Sequence, residues 1–172
     1  MLAWQCSPFD ELSTKALYAI LKARQVVFVV EQNCPFLDAD DVDQHCRHLL
    51  GWQIQGSNNA LAAYARLVPP GVKYGEPSIG RVITSPEFRG QGLGKELMQR
   101  AVQAMDELYP GLAIRIGAQH YLERFYSGFG FVTVSPTYIE DGIPHVEMVR
   151  QGGRRASETR FRFTDSGERG SC

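Results

Sequence analysis

No window of this 172-residue chain approaches the roughly 18 consecutive apolar residues needed to cross a bilayer as a helix, so no membrane span is expected. The opening residues, M-L-A-W-Q-C, also lack a basic stretch followed by a long apolar run, and the chain reads as cytoplasmic. Cysteine is sparse. Cys6, Cys34, Cys46 and Cys172 are irregularly spaced, which in a cytoplasmic setting points to reduced thiols rather than a disulfide framework. Net charge is nearly absent at −1, which argues against a nucleic-acid binder held by bulk electrostatics. No internal repeat is visible.

What is present is ordinary globular composition, 44% hydrophobic and 22% charged, with enough length for one domain and a substantial core. Charge divides the chain. Residues 1–150 carry 13 basic and 16 acidic residues, whereas 151–172 carry five arginines against three acids. The last segment has only Phe161 and Phe163 as large apolar residues, too few for a core, and is expected to be a polar tail, flexible or foreign to the domain. The expected domain is therefore 1–150.

Residues 2–5 read as a first strand, and Ser13 suits the N-cap of a helix with Leu17, Ile20, Leu21, Val27 and Phe28 on its apolar side. Residues 25–32 are apolar at nearly every position and fit either the end of that helix or a buried strand. Residues 34–47 form a loop with four aspartates, Asp38, Asp40, Asp41 and Asp43, expected to be solvated surface or a rim that attracts a cationic amine. Cys34, His45, Cys46 and His48 do not have zinc-ligand spacing, so no metal is expected. Strands follow at 48–53 and 61–67 around a turn at 56–59, then at 78–84, 112–117, 131–134 and 143–149, with helices at 93–108 and 121–129.

The most informative stretch is residues 85–100, S-P-E-F-R-G-Q-G-L-G-K-E-L-M-Q-R, which joins an apolar strand to a helix with apolar residues at 93, 97, 98, 101, 102 and 105. Gly90, Gly92 and Gly94 clear side chains from the turn, so several amide N–H groups can converge on one anion beside the positive end of a helix dipole. A Walker A loop is excluded because Glu96 follows Gly94-Lys95, and the dinucleotide fingerprint fails because position 95 is lysine. The pattern left is R-x-x-G-x-G, at Arg89, Gly92 and Gly94. With it goes F-Y-S-G-F-G-F at 125–131. In these two motifs the chain resembles the GNAT superfamily of N-acetyltransferases. V-F-V-V-E-Q-N-C-P-F at 27–36, H-L-L-G-W at 48–52 and D-G-I-P-H at 141–145 further resemble its ElaA-like subgroup, over residues 2 to about 150.

This resemblance implies an α/β fold with a mixed, mostly antiparallel sheet, helices on both faces, and a parallel strand pair that splays to admit acetyl-coenzyme A as co-substrate. The coenzyme's pantetheine arm would pair with backbone at Val82, Ile83 and Thr84. Its pyrophosphate would meet the amides of Gly90, Gln91, Gly92, Leu93, Gly94 and Lys95, with Arg89 anchoring the turn and Gln119 touching the coenzyme. Tyr126 matches the family tyrosine that protonates the leaving thiolate. The base is less clear: Arg81 occupies the strand in which many relatives carry a glutamate, leaving Glu31, His145 or a water chain. The acceptor is a primary amine of a small molecule or peptide, and a homodimer is compatible with the resemblance. The alternative is a non-catalytic acyl-coenzyme A binding or sensing domain.

Overall fold

The computed structural model describes residues 1–56 and 59–153. Residues 57–58 and 154–172, and with them the middle of the expected 56–59 turn and nearly all of the expected tail, lie outside the described residues. In chain order the elements are β1 (Leu2–Pro8), α1 (Thr14–Arg24), β2 (Arg47–Gln53), β3 (Ala60–Val68), β4 (Ser78–Thr84), α2 (Leu93–Leu108), β5 (Ile114–Gln119), α3 (Glu123–Ser127), β6 (Val132–Thr133), β7 (Tyr138–Glu140) and β8 (Ile143–Arg150). The strands form one sheet in the order β1-β2-β3-β4-β5-β8-β6, with β7 also on β8. Strands β1 to β4 pair in succession and antiparallel, with α1 and residues 25–46 inserted between β1 and β2. The crossover through α2 brings β5 in parallel to β4, and the remaining pairs are antiparallel.

Two cores flank the sheet because β3 is buried on both faces. Ala63, Ala65 and Leu67 pack with Leu97, Met98, Ala101 and Met105 of α2 on one side, while Tyr64 packs with Ala16 and Ile20 of α1 on the other. The buried residues of α2 recur at helical spacing, which is why a charged helix lies flat on the sheet. Ser13 caps α1 as expected, its hydroxyl accepting from the Ala16 amide at 3.1 Å. Of the two readings of the run 25–32, the structure takes the end of the helix and not a buried strand: Gln25–Glu31 continues α1, as a wider π turn, with Val30 left 72% exposed. Of the apolar side assigned to this helix, Ile20 and Val27 are buried, and Leu17, Leu21 and Phe28 are only half-buried. Strand β7 went unforeseen. It pairs with β8 across Asp141 and Gly142, both at positive φ, and its Ile139 is exposed, so no buried periodicity marks it.

The aspartate loop is neither solvated surface nor a free acidic rim. Arg24, fully buried at the end of α1, donates from Nε and Nη1 to Asp38 and Asp43 at 2.6 Å each. Arg66, buried on β3, forks onto Asp40 at 2.6 and 2.7 Å and reaches Asp43 at 2.9 Å. Arg81 of β4 donates to Asp38 at 2.6 Å. Of the four aspartates, only Asp41 stays outside this set of three arginines and three carboxylates. Nearby, buried His48 donates from Nε2 to the Asp43 carbonyl at 3.0 Å and accepts the Tyr64 hydroxyl at Nδ1, 2.8 Å. Burial lowers its pKa, so it stays neutral. The loop is thus clamped against α1, β3 and β4, and its charges are taken up internally.

Candidate active site

The site is made by a defect in the sheet. Opposite β3, the pairing jumps from Arg66–Gly80 to Tyr64–Ile83, so Arg81 and Val82 together face one residue, Ala65. Arg81 takes φ 51°, a region that non-glycine residues rarely occupy. This bulge inverts the pleat: Ile79 and Val82 belong to the α2 core, whereas Ile83 falls on the α1 side. Beyond it β4 and β5 part. Their ladder consists of a single pair, Ser78 with Arg115, so the edge of β4 from Gly80 onward has no strand beside it.

A cleft of about 670 Å³ fills the gap and is lined from both faces of the sheet, by Phe28 and Asp38 on one side and by Leu122, Phe125 and Tyr126 on the other. Of the residues expected to meet the coenzyme, Val82, Ile83, Thr84, Arg89, Gly94, Gln119 and Tyr126 line this space. At its mouth Gly90 and Gly92 sit at φ 76° and 78°, with open space where a side chain would stand. The N–H groups of Gly90, Gln91, Gly92, Leu93 and Gly94 have no acceptor among the described residues. Lys95 departs from the expectation, since its amide already donates to the Gly92 carbonyl at 3.0 Å. Five consecutive free amides at the start of a 16-residue helix make a cradle that suits a pyrophosphate. Arg89 fixes the turn by donating from Nε to the Thr84 carbonyl at 3.0 Å.

Tyr126 is buried on α3, edge-on to Phe125 and Phe131, with ring centroids 5.1 and 6.3 Å away. Burial pushes its hydroxyl up to about 12, with a smaller contribution from Tyr121, so it keeps its proton at neutral pH. His145 reaches the same cleft from β8, stacked on Tyr138. Its Nδ1 donates to the Ile143 carbonyl at 2.8 Å, which in the neutral ring leaves Nε2 as the acceptor. Glu31 is otherwise engaged, accepting from Arg89 Nη2 at 2.8 Å. Gln119 donates to Gln32 at 3.2 Å and links β5 to the residue that follows the π turn.

Cleft residues outside the glycine-turn and F-Y motifs include Cys34, Arg66 and Lys73. Arg66 could have been found, as the lone charge in the apolar run 61–68. Cys34 lies outside both motifs yet enters the cleft wall, its thiol directed at the carbonyls of Gln32 and Asp141 at 3.4 and 3.5 Å. Among the described residues, no group of three metal-ligating side chains occurs, and no helix is long and apolar enough to cross a membrane.

A mixed sheet opened between two parallel strands, with a glycine turn at the mouth of the gap, defines the class as the GNAT fold. The chain belongs to that acetyltransferase family, since the profile described as Acetyltransferase (GNAT) domain matches residues 42–151, more than half of it. It is 42% identical to protein ElaA of Escherichia coli (strain K12) over 153 residues, 88% of this chain and 97% of that one. The crystal structure of Escherichia coli ElaA superposes with a TM-score of 0.81, covering 88% of this chain and all of that one. That of an acyl-CoA N-acyltransferase from Pseudomonas aeruginosa does so at 43% identity and TM-score 0.81, covering 87% and 99%. An aminoglycoside 6'-N-acetyltransferase complexed with coenzyme A, 13% identical at TM-score 0.61, shares the fold.

Proposed function

We propose that the protein is an acetyl-coenzyme A dependent N-acetyltransferase that transfers acetyl directly to a primary amine of a small molecule or peptide while both substrates are bound. The observation that carries this reading is that one cleft runs from Gly94, the last of the five free amides of the glycine turn, along the unpaired edge of β4 to Tyr126 and His145. In that cleft the pantetheine arm lies along Val82, Ile83 and Thr84 as an added strand would, and the pyrophosphate takes the amides of residues 90–94.

The chemistry needs a neutral amine, a polarised thioester carbonyl and a proton for the departing thiolate. His145 Nε2 takes the amine proton, directly or through water, because Glu31 is held by Arg89. Tyr126 donates to the thiolate sulfur. The nitrogen–carbon bond forms as the carbon–sulfur bond breaks, so one proton leaves the amine and one reaches the thiol. A cysteine relay is not part of this scheme, because the Cys34 thiol hydrogen bonds to carbonyl oxygens rather than to a base. Free Cys6, Cys34 and Cys46 agree with a cytoplasmic setting.

The test is a panel of amines incubated with protein and acetyl-coenzyme A, read by mass spectrometry for gain of one acetyl group. Acetylation of at least one amine, faster than in the protein-free control, is the expected result. Tight coenzyme binding without transfer to any amine would instead make the chain an acyl-coenzyme A binding domain.

A further inference from the structure

The end of the cleft farthest along the chain from the glycine turn is built from the facing ends of β3 and β4 and the loop between them. Arg66, Val68, Ser78 and Gly80 share one face there, since Arg66 pairs with Gly80 and Val68 with Ser78, and all four line the cleft. Arg66 is 2% exposed. Its Nη atoms are taken by Asp40 and Asp43, but its Nε–H has no acceptor, alone among the buried side-chain polar atoms of the described residues. A buried N–H left without a partner is costly, so an acceptor brought to this end of the cleft would relieve it.

Beside it stands Lys73. Each arginine lining the cleft has a carboxylate partner: Arg66 has Asp40 and Asp43, Arg81 has Asp38, and Arg89 has Glu31. Lys73 has none among the described residues, and its ammonium lies 5.3 Å from the centroid of the Tyr74 ring. Although the residue as a whole is exposed, burial around its head group lowers its pKa, opposed by the field of Glu140. The three arginines and three aspartates nearby balance one another, so Lys73 is the cation at this end that has no ion-pair partner among the described residues, with Glu140 acting on it only through its field. The cleft is also lined by Glu140, Asp141 and His145 from β7, β8 and the turn between them.

We infer that this end of the cleft is an anion subsite, in which Lys73 Nζ, Arg66 Nε–H and the Ser78 hydroxyl hold a carboxylate carried by the acceptor, so that the substrate class is an amine bearing a carboxylate. The inference rests on the acetyltransferase reading for its chemistry but not for its test. The carboxylate sits at the Lys73 wall while the amine turns toward His145, which gives a zwitterion two complementary walls and a simple cationic polyamine only one.

The experiment compares glycine, β-alanine and 4-aminobutyrate, each against its carboxamide, as acceptors with acetyl-coenzyme A, by thiol release. The expected result is a kcat/KM ratio of about tenfold or more in favour of the acid for at least one pair. That ratio should fall toward one in Lys73→Met and recover in Lys73→Arg. Amides used as well as acids in every pair, or a ratio unchanged by Lys73→Met, overturns the subsite. If acetyl-coenzyme A binds by calorimetry but no amine is turned over, the acetyltransferase reading fails. Calorimetric titration with N-acetyl-4-aminobutyrate and its amide then decides the subsite alone: tighter binding of the acid, lost in Lys73→Met, upholds it, and equal binding ends it.

Discussion

Burial among Phe125 and Phe131 raises the Tyr126 hydroxyl to about 12, which makes it a weaker acid than a free phenol but keeps its proton in place at neutral pH for a departing thiolate. Tyr126→Phe removes the proton and keeps the packing. Loss of a positioned general acid typically lowers turnover by about 10²- to 10⁴-fold, so kcat should drop by that order while calorimetry finds the acetyl-coenzyme A dissociation constant little changed. A variant that turns over at the parental rate would transfer the acid's role to water. The F-Y pair at 125–126 made this residue legible from sequence. His145 was legible as a candidate base in D-G-I-P-H, but not its tautomer, because the Ile143 carbonyl that selects it becomes relevant only once the chain turns tightly at Asp141-Gly142.

Among the elements, the glycine turn has the sharpest requirement. Gly92 occupies a left-handed conformation at φ 78°, and the space beside it is open, so a larger residue meets no protein atom there but is strained and stands where the pyrophosphate would lie. Gly92→Val is expected to weaken coenzyme A binding severely, measured by titration calorimetry, while circular dichroism and the remote core stay as in the parent. Unaltered affinity in a folded variant would displace the pyrophosphate from the turn. Strand β4 and helix α2 stand at the bounds read from sequence, because an apolar run, a glycine cluster and a 3.6-residue period each mark an edge. The π turn was beyond that reading. Val26 to Val30 carry the same residue types whether they line a strand, a helix or a cleft wall, and the tertiary contacts of Val27 and Phe28 decide among them. The Arg81 bulge was hidden for a similar reason, since a single added residue leaves no composition signal.

For the whole molecule, the six-charge cluster ties α1, the 34–47 loop, β3 and β4 together and gives stability a defined acid limit. Burial by itself would raise the Asp40 carboxyl, but the Arg66 fork, helped by Arg81, brings it down from 3.8 to about 2. Asp43 is likewise lowered by Arg24 and Arg66 against its burial. A depressed folded-state value means the unfolded chain binds protons first, so this stabilisation is complete above about pH 4 and is lost as pH falls through about 2. His48, kept neutral by burial, adds an earlier decline below about 6.5. Melting temperature against pH should therefore slope gently below 6.5 and steeply below 4, and Asp40→Asn should flatten the lower part. A curve level down to pH 2 would contradict the cluster's role. At the other end of the chain, Gly152 packs so closely on Gly111 and Leu112 that the body extends past Arg150. Removing residues 154–172, with their two large apolar side chains, should leave the melting temperature and coenzyme binding nearly unchanged, and a loss of many degrees in a scanning calorimeter would show that they belong to the domain.

The single-pair ladder between β4 and β5 gives this protein an edge strand in its interior instead of at its border. Border edges invite pairing with neighbouring molecules and have to be blunted, whereas this one is fenced in by β5 and α3 and can keep its backbone groups unmatched without promoting aggregation. The same enclosure admits only a slim, extended partner. An inhibitor could exploit this with a β-strand mimetic whose amide spacing copies a pantetheine arm, and removing that mimetic's inward-facing N–H by methylation should abolish its hold on β4.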